Sequence, residues 1–264
     1  MSSRLRPILE ASRARVDALA GRADELAARA RDRDPARDLH TALRRPGRAG
    51  PLRVIGELKR RSPSAGAIRE DLDPVDAARR LESAGAAALS VLTEPRFFGG
   101  SLEFLHTVRG AVDLPLLRKD FVLDPVQVAE ARAYGADAVL LLAVALDDLA
   151  LERCVDEARK WGLGVLAEAH DDRELDRLLA LDLPIVGVNA RDLDTFDVDL
   201  ERGLELCRRI PDDRVAVAES GVRTRSDARR VETAPVDAVL CGEGLMRPGA
   251  PEERFAELFG GDRA

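Results

Sequence analysis

Residues 54–66 read VIGELKRRSPSAG, a short apolar run that ends in charge and then in a turn of small residues. Side chains two apart on a strand share a face, so Glu57 and Lys59 point one way while Val54, Gly56 and Leu58 point the other. An acid and an amine thus arrive together at a strand end. Ser62-Pro63-Ser64-Ala65-Gly66 follows at once, with the hydroxyls and backbone freedom of a loop that bends to meet a substrate or closes over an anion. The plainer reading is a solvated strand end carrying one ion pair, and the rest of the chain has to decide between the two.

Outward from this stretch the same unit recurs. Apolar runs at 52–58, 87–93, 114–119, 138–142, 164–168, 185–189, 215–219 and 238–241 have the near-continuous hydrophobicity of parallel strands buried on both faces. Helical stretches lie between them, the natural connection for parallel pairing. Asp73-Pro74 reads as an N-cap with proline in the first turn and Gly85 as the stop. Asp124-Pro125 and Gly135 repeat the device, and Thr224-x-x-Asp227 has the spacing of a capping box. Eight βα units predict an α/β fold, a single (β/α)8 TIM barrel over residues 51–264, with its site at the C-terminal strand ends. An open doubly wound sheet would lead one to expect G-x-G-x-x-G after the first strand, and the chain has none. Residues 1–50 place Leu5, Ile8, Leu9, Val16 and Leu19 at near-helical spacing. They predict one or two amphipathic helices, an N-terminal extension packed on the barrel because Pro46-Gly47 is too short for a linker.

Composition sharpens the choice. Of 41 basic side chains only Lys59, Lys119 and Lys160 are lysine, and Asn189 is the sole asparagine. Arginine keeps its proton near neutral pH and lysine can give it up, so a lysine that survives this bias is a candidate proton donor or anion clamp. Lys160, beside Trp161 on a helical surface, reads as a leftover. Hydrophobic residues make up 45% of 264 and aromatics 3%, which predicts a globular chain with an aliphatic, alanine-rich core. A net charge of −7 without a basic stripe argues against nucleic acid as a partner. Cys154, Cys207 and Cys241 are odd in number and far apart, fitting a reducing cytoplasm better than a disulfide framework. No apolar run is long enough to span a bilayer, and Glu10, Asp17, Asp24 and Glu25 make the N-terminus a poor transit peptide. A cytoplasmic protein without a membrane partner is the expectation.

The strand ends then collect Glu57 with Lys59, Thr93, Lys119, Glu168, Asn189 with Arg191, Glu219-Ser220-Gly221 and Gly242-Glu243-Gly244. Charged groups at the ends of Val/Leu/Ala strands cost desolvation unless paired or used. The small residues of VAESG and VLCGEG sit where barrels commonly receive phosphate, after strands seven and eight. No G-x-S-x-G elbow is present, and Ser220 has no evident histidine partner for acyl transfer. His170, before Asp171 and Asp172, could be imagined in a metal group; helix capping by the aspartates is the more ordinary account, and no metal is expected.

These blocks, ELKRRSPSAG, VLTEPRFFGGSLEFL, PLLRKDFVLDPVQVAEARAYGADAVLLL, GLGVLAEAH, IVGVNARDLDTF, VAESGVRT and VLCGEGLM, in this order, resemble the indole-3-glycerol phosphate synthase family of tryptophan biosynthesis from Leu52 to Leu258. The resemblance implies a cofactor-free ring closure of a phosphorylated small molecule, 1-(2-carboxyphenylamino)-1-deoxyribulose 5-phosphate, with loss of carbon dioxide and water. It implies Lys119 as general acid, Lys59 at the substrate carboxylate, and Glu57 and Glu168 in dehydration and proton removal. Asn189 and Glu219 would position hydroxyls and catalytic groups, and Arg191 would add charge near the anionic substrate. Ser62, Ser220, Gly221, Gly242 and Glu243 match the family's phosphate region. Ala65 departs from it, standing where the family usually has lysine, and residues 1–50 are richer in arginine and alanine than the family pattern. Two alternatives are a related phosphate-binding barrel enzyme such as phosphoribosylanthranilate isomerase, which would use a cysteine and an aspartate, and a noncatalytic phosphate-metabolite binder.

Overall fold

The alternation of buried runs and capped helices closes on itself. The computed structural model describes residues 4–260. Strands β1 (Arg53–Leu58), β2 (Ala88–Leu92), β3 (Leu116–Lys119), β4 (Ala138–Leu142), β5 (Gly164–Ala169), β6 (Ile185–Asn189), β7 (Val215–Glu219) and β8 (Ala238–Cys241) form a closed barrel. Every pairing is parallel, and β1 pairs with both β2 and β8. The third strand begins at Leu116, two residues later than the sequence suggests. Pro115 has no N–H to give the ladder, although its carbonyl still accepts from Leu89 N at 3.0 Å.

The period of two sorts the core into layers. Ile55, Leu117, Leu140, Leu142, Leu166, Val217 and Leu240 fill the lumen. Val54, Leu89, Val139, Leu141, Val186 and Val239 face outward, against Leu81, Leu105, Leu151 and Leu175 of the surrounding helices. Those helices are α4 (Pro74–Ala84), α5 (Leu102–Arg109), α6 (Pro125–Ala133), α7 (Asp148–Lys160), α8 (Asp172–Leu179), α9 (Leu200–Cys207) and α10 (Arg225–Thr233), then α11 (Glu243–Met246) and α12 (Pro251–Phe259) after β8. Their ends follow the expected chemistry. Asp73 accepts from Val75 N and Asp76 N, Gly85 closes α4 at φ 99°, and Thr224 and Asp227 form a reciprocal capping box. None of the helices among the described residues is long and apolar enough to cross a membrane.

Three helices precede the barrel where one or two were expected: α1 (Arg6–Leu19), α2 (Ala23–Arg31) and α3 (Leu39–Leu43). The short third one exists because Asp38 caps it, accepting from Thr41 N at 3.0 Å. Leu19, Leu26 and Ala30 pack with Ala133 of α6, flanked by Tyr134 and Trp161. Leu39 and Leu43 instead join the lumen cluster beside Ala88, Ala138, Ile185, Val215 and Ala238, the first residues of five strands. Thus α3 plugs the N-terminal opening of the barrel.

Candidate active site

At the opposite opening the strands deliver side chains by register. Leu117 fills the lumen, so Lys119, two residues on, projects into the mouth. Arg118 points outward, yet it is fully buried: it donates to Thr93 Oγ1 at 3.1 Å and to the Gln127 carbonyl at 2.7 Å, and pairs with Asp120 and Glu130. The twelve residues proposed from the sequence, Glu57, Lys59, Ser62, Lys119, Glu168, Asn189, Arg191, Glu219, Ser220, Gly221, Gly242 and Glu243, all line one cavity at this mouth. Thr93 is not brought to it. Its hydroxyl donates to Asp120 at 2.6 Å in a network behind the cavity.

Lys119 Nζ lies 2.9 Å from Glu168 Oε2 and 3.4 Å from Glu219 Oε2, and Lys59 pairs with Glu57. Burial alone would push the Lys119 ammonium down, but Glu168, Glu219 and Glu57 outweigh it and hold its pKa above the ordinary lysine value. The two flanking acids are driven apart. Burial would raise Glu168, but Lys119, His170 and Asn189 hold it well below the usual carboxylate range. Burial and the neighbouring Glu168 charge raise Glu219 well above that range. The two acids are thus shifted in opposite directions, the pattern by which two like groups take different roles. The Glu219 carboxyl is buried between Lys119 and Glu168.

Asn189 ties three strand ends together. Its Nδ2 donates to Glu168 Oε1 at 2.9 Å, and its Oδ1 accepts from Ser220 Oγ at 2.8 Å and from Arg191 N at 3.1 Å. Ser220 sits at φ 66°, followed by Gly221 at φ 93°. A left-handed serine costs energy that the surrounding structure must hold in place. At Gly242 a Cβ would collide with the Glu57 carboxylate, so glycine there makes room for the acid of the first strand. Ser62 Oγ accepts from Ala65 N at 3.1 Å within a two-residue hairpin pairing Arg61–Ser62 with Gly66–Ala67. Arg191 lies 3.6 Å from Glu243, which also pairs with Arg223 and Arg247.

Sequence reasoning missed several participants. Glu94 lines the cavity and accepts from the backbone N–H groups of Arg96, Phe97 and Phe98, fixing the loop after β2. Phe98 and Phe121, with ring centroids 6.1 Å apart, and Arg4, Leu5 and Ile8 from the N-terminal segment also line it. Asp120 is another. Burial would raise its pKa, but Arg15, reaching over from α1 at 2.9 and 2.6 Å, and Arg118 hold it far below the carboxylate norm. The one available signal was position, because Glu94, Asp120 and Phe121 each lie within two residues of a strand end. Cys154, Cys207 and Cys241 are buried and unpaired, and burial pushes each thiol up to about 12, which does not suit a cysteine acid. Among the described residues no group of three or more His, Cys, Asp or Glu is arranged to hold a metal ion.

Solved structures share the fold. The 3-hexulose-6-phosphate synthase of Salmonella typhimurium superposes with a TM-score of 0.64 at 13% identity, covering 79% of this chain and 97% of that one. The thiamine phosphate pyrophosphorylase of Pyrococcus furiosus gives 0.58 at 19% identity, covering 84% and 96%. At such identities the likeness is one of architecture. Eight parallel strands with acids and lysines gathered at their C-terminal mouth define an enzyme of the (β/α)8-barrel class. The family model of indole-3-glycerol phosphate synthase matches residues 5–258. The chain is 47% identical over 262 residues to the indole-3-glycerol phosphate synthase of Koribacter versatilis, covering 98% of this chain and all of that protein. It is 45% identical over 235 residues to that of Burkholderia multivorans, covering 89% of each. This chain belongs to the indole-3-glycerol phosphate synthase family, carboxy-lyases of tryptophan biosynthesis.

Proposed function

We propose that this mouth closes the indole ring of 1-(2-carboxyphenylamino)-1-deoxyribulose 5-phosphate, giving indole-3-glycerol phosphate, carbon dioxide and water with no cofactor. The observation that carries the reading is the buried Lys119 amine 2.9 Å from Glu168 and 3.4 Å from Glu219, two acids whose pKa values their surroundings push in opposite directions. The ring carbon that bears the carboxylate attacks the ketone, and the carbonyl oxygen becomes an alkoxide. An alkoxide is more basic than any lysine, even one held by three carboxylates, so Lys119 gives it a proton. The new bond leaves the ring system cationic. The electron pair of the C–CO2⁻ bond then collapses into it as carbon dioxide departs. The hydroxyl made from the ketone, already carrying the Lys119 proton, leaves as water on receiving one more, while Glu57 and Glu168 pass one C–H proton from the ring system to it and Lys119 regains its proton from solvent.

Lys59 holds the substrate carboxylate, and Asn189 and Glu219 position hydroxyls and Lys119. Arg191, Ser62, Ser220 and the amides at Gly221, Gly242 and Glu243 receive the phosphate, a role supported by the left-handed turn at 220–221 and by the arginines around Glu243. Residues 1–50 act as an extension over the barrel of residues 51–264, contributing Arg4, Leu5 and Ile8 to the cavity wall. Three unpaired cysteines fit work in a reducing cytoplasm. Incubating the purified chain with the carboxyphenylamino substrate should give indole fluorescence and carbon dioxide in equal amounts. Neither signal above a no-enzyme control would overturn the reading.

A further inference from the structure

Behind the cavity wall, the junction of β5 and α8 carries a buried pair, His170 and Glu174, that the chemistry above does not use. His170 follows β5 directly, and its side chain is 10% exposed. Its Nε2 lies 3.0 Å from Glu168 Oε1. Its Nδ1 lies 3.0 Å from Glu174 Oε2 on α8, the oxygen that also accepts the His170 backbone N–H at 2.9 Å. Glu168 Oε2 meets Lys119 at 2.9 Å. The four side chains alternate in charge from the shell to the mouth: Glu174, His170, Glu168, Lys119. Capping does not explain the histidine. Asp171 caps α8 by itself, accepting from Glu174 N at 2.8 Å.

We infer that His170 is a positioning residue: clamped by Glu174 as an imidazolium, it holds Glu168 ionised and turned toward Lys119. The inference rests on Glu168 being a proton acceptor in the reading above. Its logic is charge balance. Carboxylates crowded around one buried lysine cannot all ionise, and Lys119 supplies a single positive charge. With His170 the two cations match Glu168 and Glu174, and no positive charge is left for Glu219, which takes the proton. His170 thereby selects which of the two facing acids is the base. The groups that face it are Glu168 on its own strand, Glu174 on α8 and Asp192 in the loop after β6, all acids. Burial would push its pKa down, but Glu168 and Glu174 outweigh this and lift it to about 10. Through neutral pH it is a fixed charge.

Histidine-labelled full-length chain contains three histidines, and His40→Gln and His106→Gln variants identify the His170 resonance by elimination. Its ring should stay doubly protonated to pH 8 and lose its proton at lower pH in Glu174→Gln. In kinetics, His170→Asn keeps a donor and loses the charge. Its acid limb of kcat against pH should move up by about one unit, a roughly tenfold loss at the old limb, with KM changed far less. A parent His170 that titrates at or below the ordinary histidine value of about 6.5 overturns the inference. So does a His170→Asn profile superimposable on the parent. Glu168→Gln separates the two readings: nearly full turnover there breaks the role of Glu168 itself, whereas an inactive Glu168→Gln beside a parental His170→Asn breaks only the positioning role.

Discussion

The two rims of the barrel bury the same kind of group and treat it in opposite ways. At the N-terminal rim Asp137 is fully buried and accepts from Arg37 N at 2.7 Å, Leu116 N at 2.9 Å and Arg109 Nη1 at 2.7 and 2.8 Å. Asp237, one strand before closure, accepts from Arg45 N and Ala216 N, each at 3.0 Å, and pairs with Arg48. At the C-terminal rim Glu57, Glu168 and Glu219 are buried just as deeply, but they share two lysines, with His170 beside Glu168, and no arginine meets them. A carboxylate saturated by amides and arginine is fixed in charge and place. One that shares a lysine and keeps open lone pairs can exchange protons with what enters.

The sharpest break of this contrast is Lys119→Arg. It keeps the charge, holds its proton and presents a planar group, so turnover should fall about 10²–10⁴-fold while thermal stability stays near the parent's. Turnover within a few-fold of the parent would remove the general acid. At the other rim, Asp137→Ala strands the Arg109 guanidinium and two amides. Urea titration should show a loss of about 3–5 kcal/mol, with the molecules that remain folded turning over at the parental rate. A large kcat effect there would show that the rims are not independent.

The N-terminal segment touches both rims, so where it is cut decides what is lost. Removing residues through Ala20 takes Arg4, Leu5 and Ile8 from the cavity wall, and KM should rise about tenfold in a chain that still folds, less than one fully buried apolar side chain is worth. Removing residues through Leu43 also unplugs the lumen and should leave no cooperative unfolding transition. Equal behaviour of the two truncations would contradict the plug.

The smallest effect is a gain. Glu219 holds its proton more tightly folded than unfolded. The stability it contributes is present in full below the unfolded carboxyl value and is lost as pH rises through the folded one. Glu219→Gln abolishes that loss, so it should stabilise by about 0.5–2 kcal/mol, more at pH 8 than at pH 5, at the expense of turnover. Melting curves at both pH values with no difference in the gain would show that Glu219 is ionised like its neighbour.

Much of the fold was legible because its signals are local. Hydrophobic runs, Asp-Pro caps and the period of two located eight strands to within two residues at their ends, and Lys119 was placed at the mouth as the last residue of its run. Gly242 shows the limit. A glycine after the last strand reads as an anion site, whereas folding also sets it against Glu57, a residue 185 positions earlier in the chain. Arg15 and Asp120 show the same limit, for nothing near either predicts a bond across 105 residues.

The sequence by itself determined that Glu57, Lys119, Glu168, Asn189 and Glu219 reach the mouth, since strand period and strand end are properties of neighbouring residues. Only the tertiary structure decided their states. Glu168 and Glu219 are both acids at the end of an apolar strand, each preceded by alanine. The pKa of one is lowered and that of the other raised because His170, Asn189 and Lys119 converge on the first and leave the second with a share of one lysine. A charge state is set by every charge within a few ångströms, and those neighbours come from strands that meet only when the barrel closes.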